Sequence, residues 1–307
     1  MKTPTFEKPF PALAPTERYH LDVFGYVIIE NTLTADEVGR IREALYDLNA
    51  ELMKLDGSSP TPARVRDASF GKNEPHHHYI HNIIEAHPDI TAYATHPRLV
   101  SMAEELMGGE ARIVEMNAQI NSRDPEADPT VEPEYGFHRG TDIAYAGHSK
   151  NGLFHCNFVK TLTNLTDLGP DDGGTVVIAG SHKIEAPSED VIKLAYEDRS
   201  LIHQVIAPAG STLLFSETLI HATGQIRSEK ERVIIITGYG STMFPYWDKG
   251  ELSEGFKEQI PEQLKTLFHG KKLWTRGPRY RTLSEDSDTR DFELGHWADR
   301  PALMEKE

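Results

Sequence analysis

Two histidines and one arginine stand where they could serve a redox-active metal. His138 lies in YGFHRGTD and His221 in SETLIHATG, and Arg232 follows eleven residues later at the head of RVIIITGYG. Redox chemistry with O2 takes an iron with open positions. Proteins commonly supply two imidazoles and a carboxylate on one face and leave the other positions for co-substrate and oxygen. A guanidinium in the same cavity can hold a carboxylate through two parallel hydrogen bonds. The spacing is weak evidence by itself, because the chain holds fifteen histidines and a histidine in a strand more often serves as a hydrogen-bonded structural residue.

These side chains need strands to bring them together. From Ala111 onward short apolar runs alternate with turn residues: ARIVEMNAQIN, FHCNFVKTLTNLTD, TVVIAGS, LIHQVIA, STLLFSE, IHATG and RVIIITGYG. Gly-Pro-Asp-Asp-Gly-Gly at 169–174 and Ala-Pro-Ala-Gly at 207–210 are strong turns, since Gly, Pro and Asp each favour a bend for its own reason. Short strands at this spacing predict an antiparallel sandwich or jelly roll. In such a fold metal ligands come from strand ends at the open mouth, and His221 opens a strand just after the turn that ends STLLFSE. Upstream, residues 1–17 read as an extended arm, and residues 20–31 give a short strand, GYVIIEN, with a turn. Thr34 and Glu37 form a capping box, and Val38, Ile41, Leu45 and Leu48 recur at helical spacing, so residues 35–54 are predicted helical. A second helix is expected at about 98–107, closed by Gly108-Gly109, and another helical piece at 261–268. The expected class is mainly β with flanking helices, a double-stranded β-helix of cupin-like jelly-roll type. It is read as one domain: arm and helices at 1–110, β-core at 111–240, C-terminal extension at 241–307.

Composition narrows the partners. Forty-eight acidic against 32 basic residues leave a net charge of −16 over 307 residues, a field that repels nucleic-acid backbones and anionic membranes. No apolar run approaches the roughly 18–20 residues that cross a bilayer. The Pro-rich N-terminus lacks the apolar segment of a secretory signal. The single cysteine, Cys156, excludes an internal disulfide framework and fits a reducing, cytoplasmic setting. A small-molecule substrate is the expected partner, and the sequence is silent on oligomeric state.

Three stretches carry a family resemblance. DVFGYVIIENTLTADEVGRIREALYDL, LTNLTDLGPDDGGTVVIAGSHK and GSTLLFSETLIHATGQIRSEKERVIIITGY resemble, in order, segments of the phytanoyl-CoA dioxygenase-like iron(II)- and 2-oxoglutarate-dependent oxygenases. The likeness runs over most of residues 19–240, with Ala179 where a proline is usual. It implies iron(II) on His138 and His221, 2-oxoglutarate and O2 as co-substrates, and hydroxylation of a small-molecule C–H bond. It further implies that Arg232 holds the far carboxylate of 2-oxoglutarate, helped by Thr223. Thr163 and Lys160, on the strand that resembles the cavity wall, are further expected contacts to co-substrate.

One departure matters. The family's first metal motif is His-x-Asp, with the Asp as third ligand, whereas this chain reads His138-Arg139-Gly140. Three explanations stand open. Another acid substitutes: Glu217, brought beside the metal by a tight hairpin, or Asp142, which would need a local turn at Gly140. Alternatively the place is left to chloride, as in related halogenases with a small residue there, and the enzyme chlorinates. Or the site is degenerate, and the protein is a non-catalytic jelly-roll binding protein. Elsewhere, His76, His77, His78 and His81 read as surface decoration on a Pro-flanked loop. Of His155 and Cys156 one is expected to face the barrel interior. Asn121 and Arg123 fall where the family often places a basic co-substrate contact, and Arg139 reads as a partner for an anion or as a surface ion pair.

Overall fold

Backbone pairing is dominated by one seven-stranded antiparallel sheet. The structure is a computed structural model that describes residues 12–55, 65, 67–140, 147–150, 152–241 and 252–269. Helix α1 (Pro15–Phe24) leads into β1 (Tyr26–Ile29) and α2 (Ala35–Leu52). The hairpin β2 (Ser69–Glu74) and β3 (His77–His81) follows, then α3 (Pro88–Ala94), α4 (Pro97–Met107) and the long strand β4 (Ala111–Asn121). Next come β5 (Gly147–Lys150), β6 (Leu153–Cys156), β7 (Phe158–Asn164), β8 (Val176–Ile178) and α5 (Ser188–Glu197). The chain continues through β9 (Ile202–Gln204), β10 (Thr212–Ser216), β11 (His221–Ala222) and β12 (Arg232–Ser241) to α6 (Glu254–Gln259) and α7 (Lys265–His269). The large sheet runs β1-β10-β7-β12-β4-β3-β2, the smaller one β11-β8-β9, and β5 pairs with β6.

The large sheet is covered on both faces. Val38, Ile41, Leu45 and Leu48 of α2 and Leu99, Met102 and Leu106 of α4 share a core with Met116, Ala118, Val233, Ile235 and Tyr239 of the sheet. Each such side chain, fully removed from water, contributes roughly 1.5–3 kcal/mol. On the opposite face Leu162, Leu213, Phe215, Ile234 and Ile236 pack against Val177, Val205 and Leu219 from the side of the smaller sheet. Two facing antiparallel sheets with helices outside one of them are the expected double-stranded β-helix. Among the described residues no helix is long and apolar enough to cross a membrane.

The capping box at Thr34 forms as expected: Glu37 N–H donates to Thr34 Oγ1 at 3.3 Å while Glu37 Oε2 accepts from Thr34 N at 2.7 Å. Two expectations for the N-terminal third are corrected. Residues 15–17 begin a helix instead of ending an arm. Pro15 occupies its first turn, where a missing N–H does no harm, Glu17 reaches back to Ala14 N–H at 2.7 Å, and Gly25 closes it at φ 83°. The Pro-rich composition misled because proline starts helices as readily as it prevents them. The histidine run is likewise no surface loop: His77–His81 is strand β3, paired with β4 from His77 opposite Asn121 to Ile80 opposite Ala118.

Candidate metal and co-substrate site

His138 and His221 meet by direct strand pairing. Each backbone N–H donates to the other's carbonyl at 3.0 Å, so the residues form a hydrogen-bonded antiparallel pair with both side chains on one face. The ring centroids lie 4.4 Å apart, a separation that one divalent ion with bonds near 2.1 Å can span. Each ring is oriented through Nδ1, which donates to the carbonyl two residues earlier: Gly136 at 3.1 Å for His138 and Leu219 at 2.9 Å for His221. A carbonyl only accepts, so Nδ1 carries the proton and Nε2 keeps its lone pair, the form a metal needs. Burial, reinforced by the neighbouring His138, holds the His221 imidazolium pKa down at about 3, and the ring stays neutral near pH 7.

A carboxylate stands in the place that Gly140 vacates. A Cβ at Gly140 would lie 1.2 Å from Glu217 Oε2 and 2.4 Å from its Cδ, so residue 140 can carry no side chain while Glu217 is there. Gly140 N–H also donates to Glu217 O at 3.0 Å. Glu217 is 1% exposed, and its Oε1 lies 3.3 Å from Lys160 Nζ. Among the described residues no three His, Cys, Asp or Glu side chains are gathered tightly enough to hold a metal. Glu217 is therefore turned to Lys160 and does not complete a three-ligand set with the two imidazoles. Asp142, the other expected acid, lies outside the described residues.

Around the carboxylate, polar side chains alternate with apolar ones. On β4 Glu115, Asn117, Gln119 and Asn121 face the space between the sheets while Met116, Ala118 and Ile120 join the helix-side core. Lys160 Nζ is 2.8 Å from Glu115 Oε1, and Asn117 Nδ2 donates to Glu115 Oε2 at 3.1 Å and to Tyr79 Oη at 3.2 Å. Glu115, Asn117, Gln119 and Thr175 were not singled out in the sequence. The signal was there: four polar residues at every second position of a strand otherwise apolar enough for burial.

Arg232 is 1% exposed. Its guanidinium donates to Gln119 Oε1 at 3.1 Å and Thr175 Oγ1 at 3.0 Å, and no described carboxylate pairs with it. Burial alone lowers its pKa to about 10. A buried cation without a counter-ion is costly, and such a guanidinium is able to pair with a carboxylate. Thr223, two residues after His221, is exposed at the end of β11.

Thr163 is corrected. It lies on the helix face of β7, where its hydroxyl meets Tyr93 Oη at 2.8 Å and Thr212 Oγ1 at 2.6 Å. Strand alternation sends Leu162 and Asn164 to the cavity side and Thr163 away from it. Arg139 makes no ion pair among the described residues: its Nη2 donates to the carbonyls of Ser181 at 3.2 Å and Ile184 at 2.9 Å. His155 is buried with Nδ1 donating to Leu106 O at 3.1 Å. A cavity of about 840 Å3 has Arg139, the residue after His138, in its wall, together with His148, Phe154, His182, Ile184 and Thr218 among others; neither imidazole of the pair lines it.

The two imidazoles can offer a divalent metal two nitrogens, and known proteins provide the comparison. Residues 21–234 match the family model described as phytanoyl-CoA dioxygenase (PhyH). The human peroxisomal phytanoyl-CoA dioxygenase is 21% identical over 253 residues, covering 77% of this chain and 71% of that protein. The ectoine dioxygenase of Sphingopyxis alaskensis is 25% identical over 224 residues, covering 65% of this chain and 66% of that protein. Among solved structures, HygX from Streptomyces hygroscopicus with nickel and 2-oxoglutarate bound superposes with a TM-score of 0.59 at 23% identity, covering 78% of this chain and 92% of that one. That likeness supports the fold. The family match spans well over half of the sequence and decides against a mere binding protein. The chain belongs to the phytanoyl-CoA dioxygenase family and is an iron- and 2-oxoglutarate-dependent oxidoreductase.

Proposed function

We propose that this enzyme hydroxylates a C–H bond of a small molecule. In this reading His138, His221 and Glu217 hold iron(II), and Arg232 with Thr223 holds the far carboxylate of 2-oxoglutarate. The observation that carries the reading is the Glu217 carboxylate in the volume vacated by Gly140, two residues along the chain from one member of the His138–His221 backbone pair. The missing Asp of the His-x-Asp motif is thus supplied from the end of the neighbouring strand. Chlorination would need that volume open to a chloride, and Glu217 fills it.

When bound, the metal and 2-oxoglutarate supply O2 activation and the oxidising power for C–H cleavage. The chain's own residues do the rest. Gly136 O and Leu219 O fix the tautomer and direction of the two imidazoles. Arg232 orients the dicarboxylate through a charge-assisted contact in a buried, low-dielectric setting. The cavity beside Arg139 and Thr218 is where substrate would enter, with Phe154 and Ile184 offering apolar contact and His148 and His182 polar contact.

The test is stoichiometric succinate formation from 2-oxoglutarate, with products read by mass. Wild type should release succinate, and His138→Ala, His221→Ala and Glu217→Ala should each lower it at least about 100-fold, as loss of a metal ligand does. Undiminished succinate in Glu217→Ala, with a chlorinated product in chloride buffer, would replace hydroxylation by chlorination.

A further inference from the structure

The carboxylate beside Gly140 is one of two built alike. On the large sheet Gly238 is registered opposite Glu115 of β4 on one side and Lys160 of β7 on the other. A Cβ at Gly238 would lie 2.5 Å from Glu115 Cγ and 2.7 Å from its Oε1. Gly238 on β12 and Gly140 in the bend after His138 thus each yield their side-chain volume to a glutamate, and Lys160 lies between the two carboxylates, 2.8 Å from Glu115 and 3.3 Å from Glu217. The contacts differ in one respect, the oxygen that does not face Lys160. Glu115 is pinned by Asn117, which Tyr79 holds in turn. Among the described residues Glu217 has no such side-chain donor, and the Oε1 atoms of both glutamates, buried beside Lys160, lack a hydrogen bond of good geometry.

A lysine in this place presents a difficulty. It repels a divalent ion at the neighbouring imidazoles and competes with that ion for Glu217. Removing one partner of a buried ion pair leaves an uncompensated charge, which is strongly unfavourable. Glu217 can therefore turn from Lys160 to a metal at low cost only if the ammonium keeps another carboxylate. We infer that Glu115 is that second counter-ion: a positioning residue that retains Lys160 and so releases Glu217 to the metal. This rests on the reading of Glu217 as a ligand and adds a residue two strands away that decides whether it ligates.

Cobalt(II) binding to the full chain, without 2-oxoglutarate or substrate, tests it by calorimetry and by the d–d absorption of the saturated complex. Glu217→Gln reads the ligand assignment alone and should weaken cobalt at least about 100-fold with a changed band. Glu115→Gln should weaken cobalt about tenfold or more, and its saturated band should match that of Glu217→Gln, because Lys160 now keeps Glu217. Adding Lys160→Met to Glu115→Gln should restore the wild-type band and bring affinity within about threefold of wild type, consistent with removal of the competing charge. A wild-type band in Glu115→Gln, however weak the binding, would reduce Glu115 to long-range charge and overturn the inference. So would a double variant that keeps the altered band. If Glu217→Gln alone behaves as wild type, it is the ligand assignment that fails.

Discussion

Strand β12 turns Val233, Ile235, Thr237 and Tyr239 toward the helices and Arg232, Ile234, Ile236 and Gly238 toward the smaller sheet. The first set sits in the large apolar core with α2 and α4. Of its hydroxyls, Tyr239 Oη donates to Ala94 O at 2.9 Å, while Thr237 Oγ1 is buried without a hydrogen bond among the described residues. The second set mixes apolar side chains with a buried arginine that has no carboxylate partner among the described residues and a glycine that yields space to Glu115. One strand, read at every second residue, thus separates stability from chemistry. The helix side is mostly apolar, and the cavity side holds a buried cation that no described carboxylate balances.

The comparison can be broken by crossing substitutions between the faces. Ile235→Ala removes a fully buried side chain from the helix side and should lower unfolding stability in urea by about 3 kcal/mol. The affinity of the folded protein for 2-oxoglutarate should not change. A large loss of that affinity would mean that the two faces are mechanically coupled. Next in size, Arg232→Met should weaken 2-oxoglutarate binding by roughly 30-fold, through loss of a charge-assisted pair. The metal-free, co-substrate-free protein should be as stable as wild type or more so, because replacing an uncompensated buried charge by an apolar side chain is often stabilising. The sign is consistent with the arginine pKa lowered to about 10. The unfolded chain holds that proton more tightly than the folded one, so the charge opposes folding at neutral pH. A destabilised Arg232→Met protein with intact 2-oxoglutarate affinity would make Arg232 a structural residue.

How much of this could be read from the sequence follows the same division. The seven strand segments, helix 35–54 with its cap and the convergence of His138 with His221 were all legible, because each rests on local periodicity or on a motif. The carboxylate end was legible only in part. Glu217 and Gly140 could be named, but that one fills the volume of the other is a contact between two strand ends that no spacing encodes. Glu115 escaped because its partner Lys160 lies on β7, two strands away in the sheet and 45 residues further along the chain. The histidines of β3 were misread for a related reason. A strand at positions 77–81 announces itself poorly when histidine and tyrosine take the places of aliphatic residues, and its pairing with β4 is what buries it.

Thr163 gives the smallest and most local test of the division between faces. It was expected to touch co-substrate, and its neighbour Leu162 does face the cavity side, packed with Phe215 and Ile236. One step along β7 reverses direction, and Thr163 spends its hydroxyl on Tyr93 and Thr212. Thr163→Val keeps the shape and removes the hydroxyl. It should cost about 1 kcal/mol of unfolding stability, the usual net worth of a buried hydrogen bond, while Tyr93 can still turn to Thr161 or to Ile235 O, at 3.4 and 3.3 Å. The dissociation constant for 2-oxoglutarate, measured by calorimetry with manganese(II) present, should stay within about twofold of wild type, because a loss confined to the helix face leaves the Arg232 contact intact. A tenfold weaker co-substrate with unchanged stability would place the hydroxyl in the cavity after all, and β7 would then have to be shifted in register by one residue, which would turn Lys160 away from Glu217 as well.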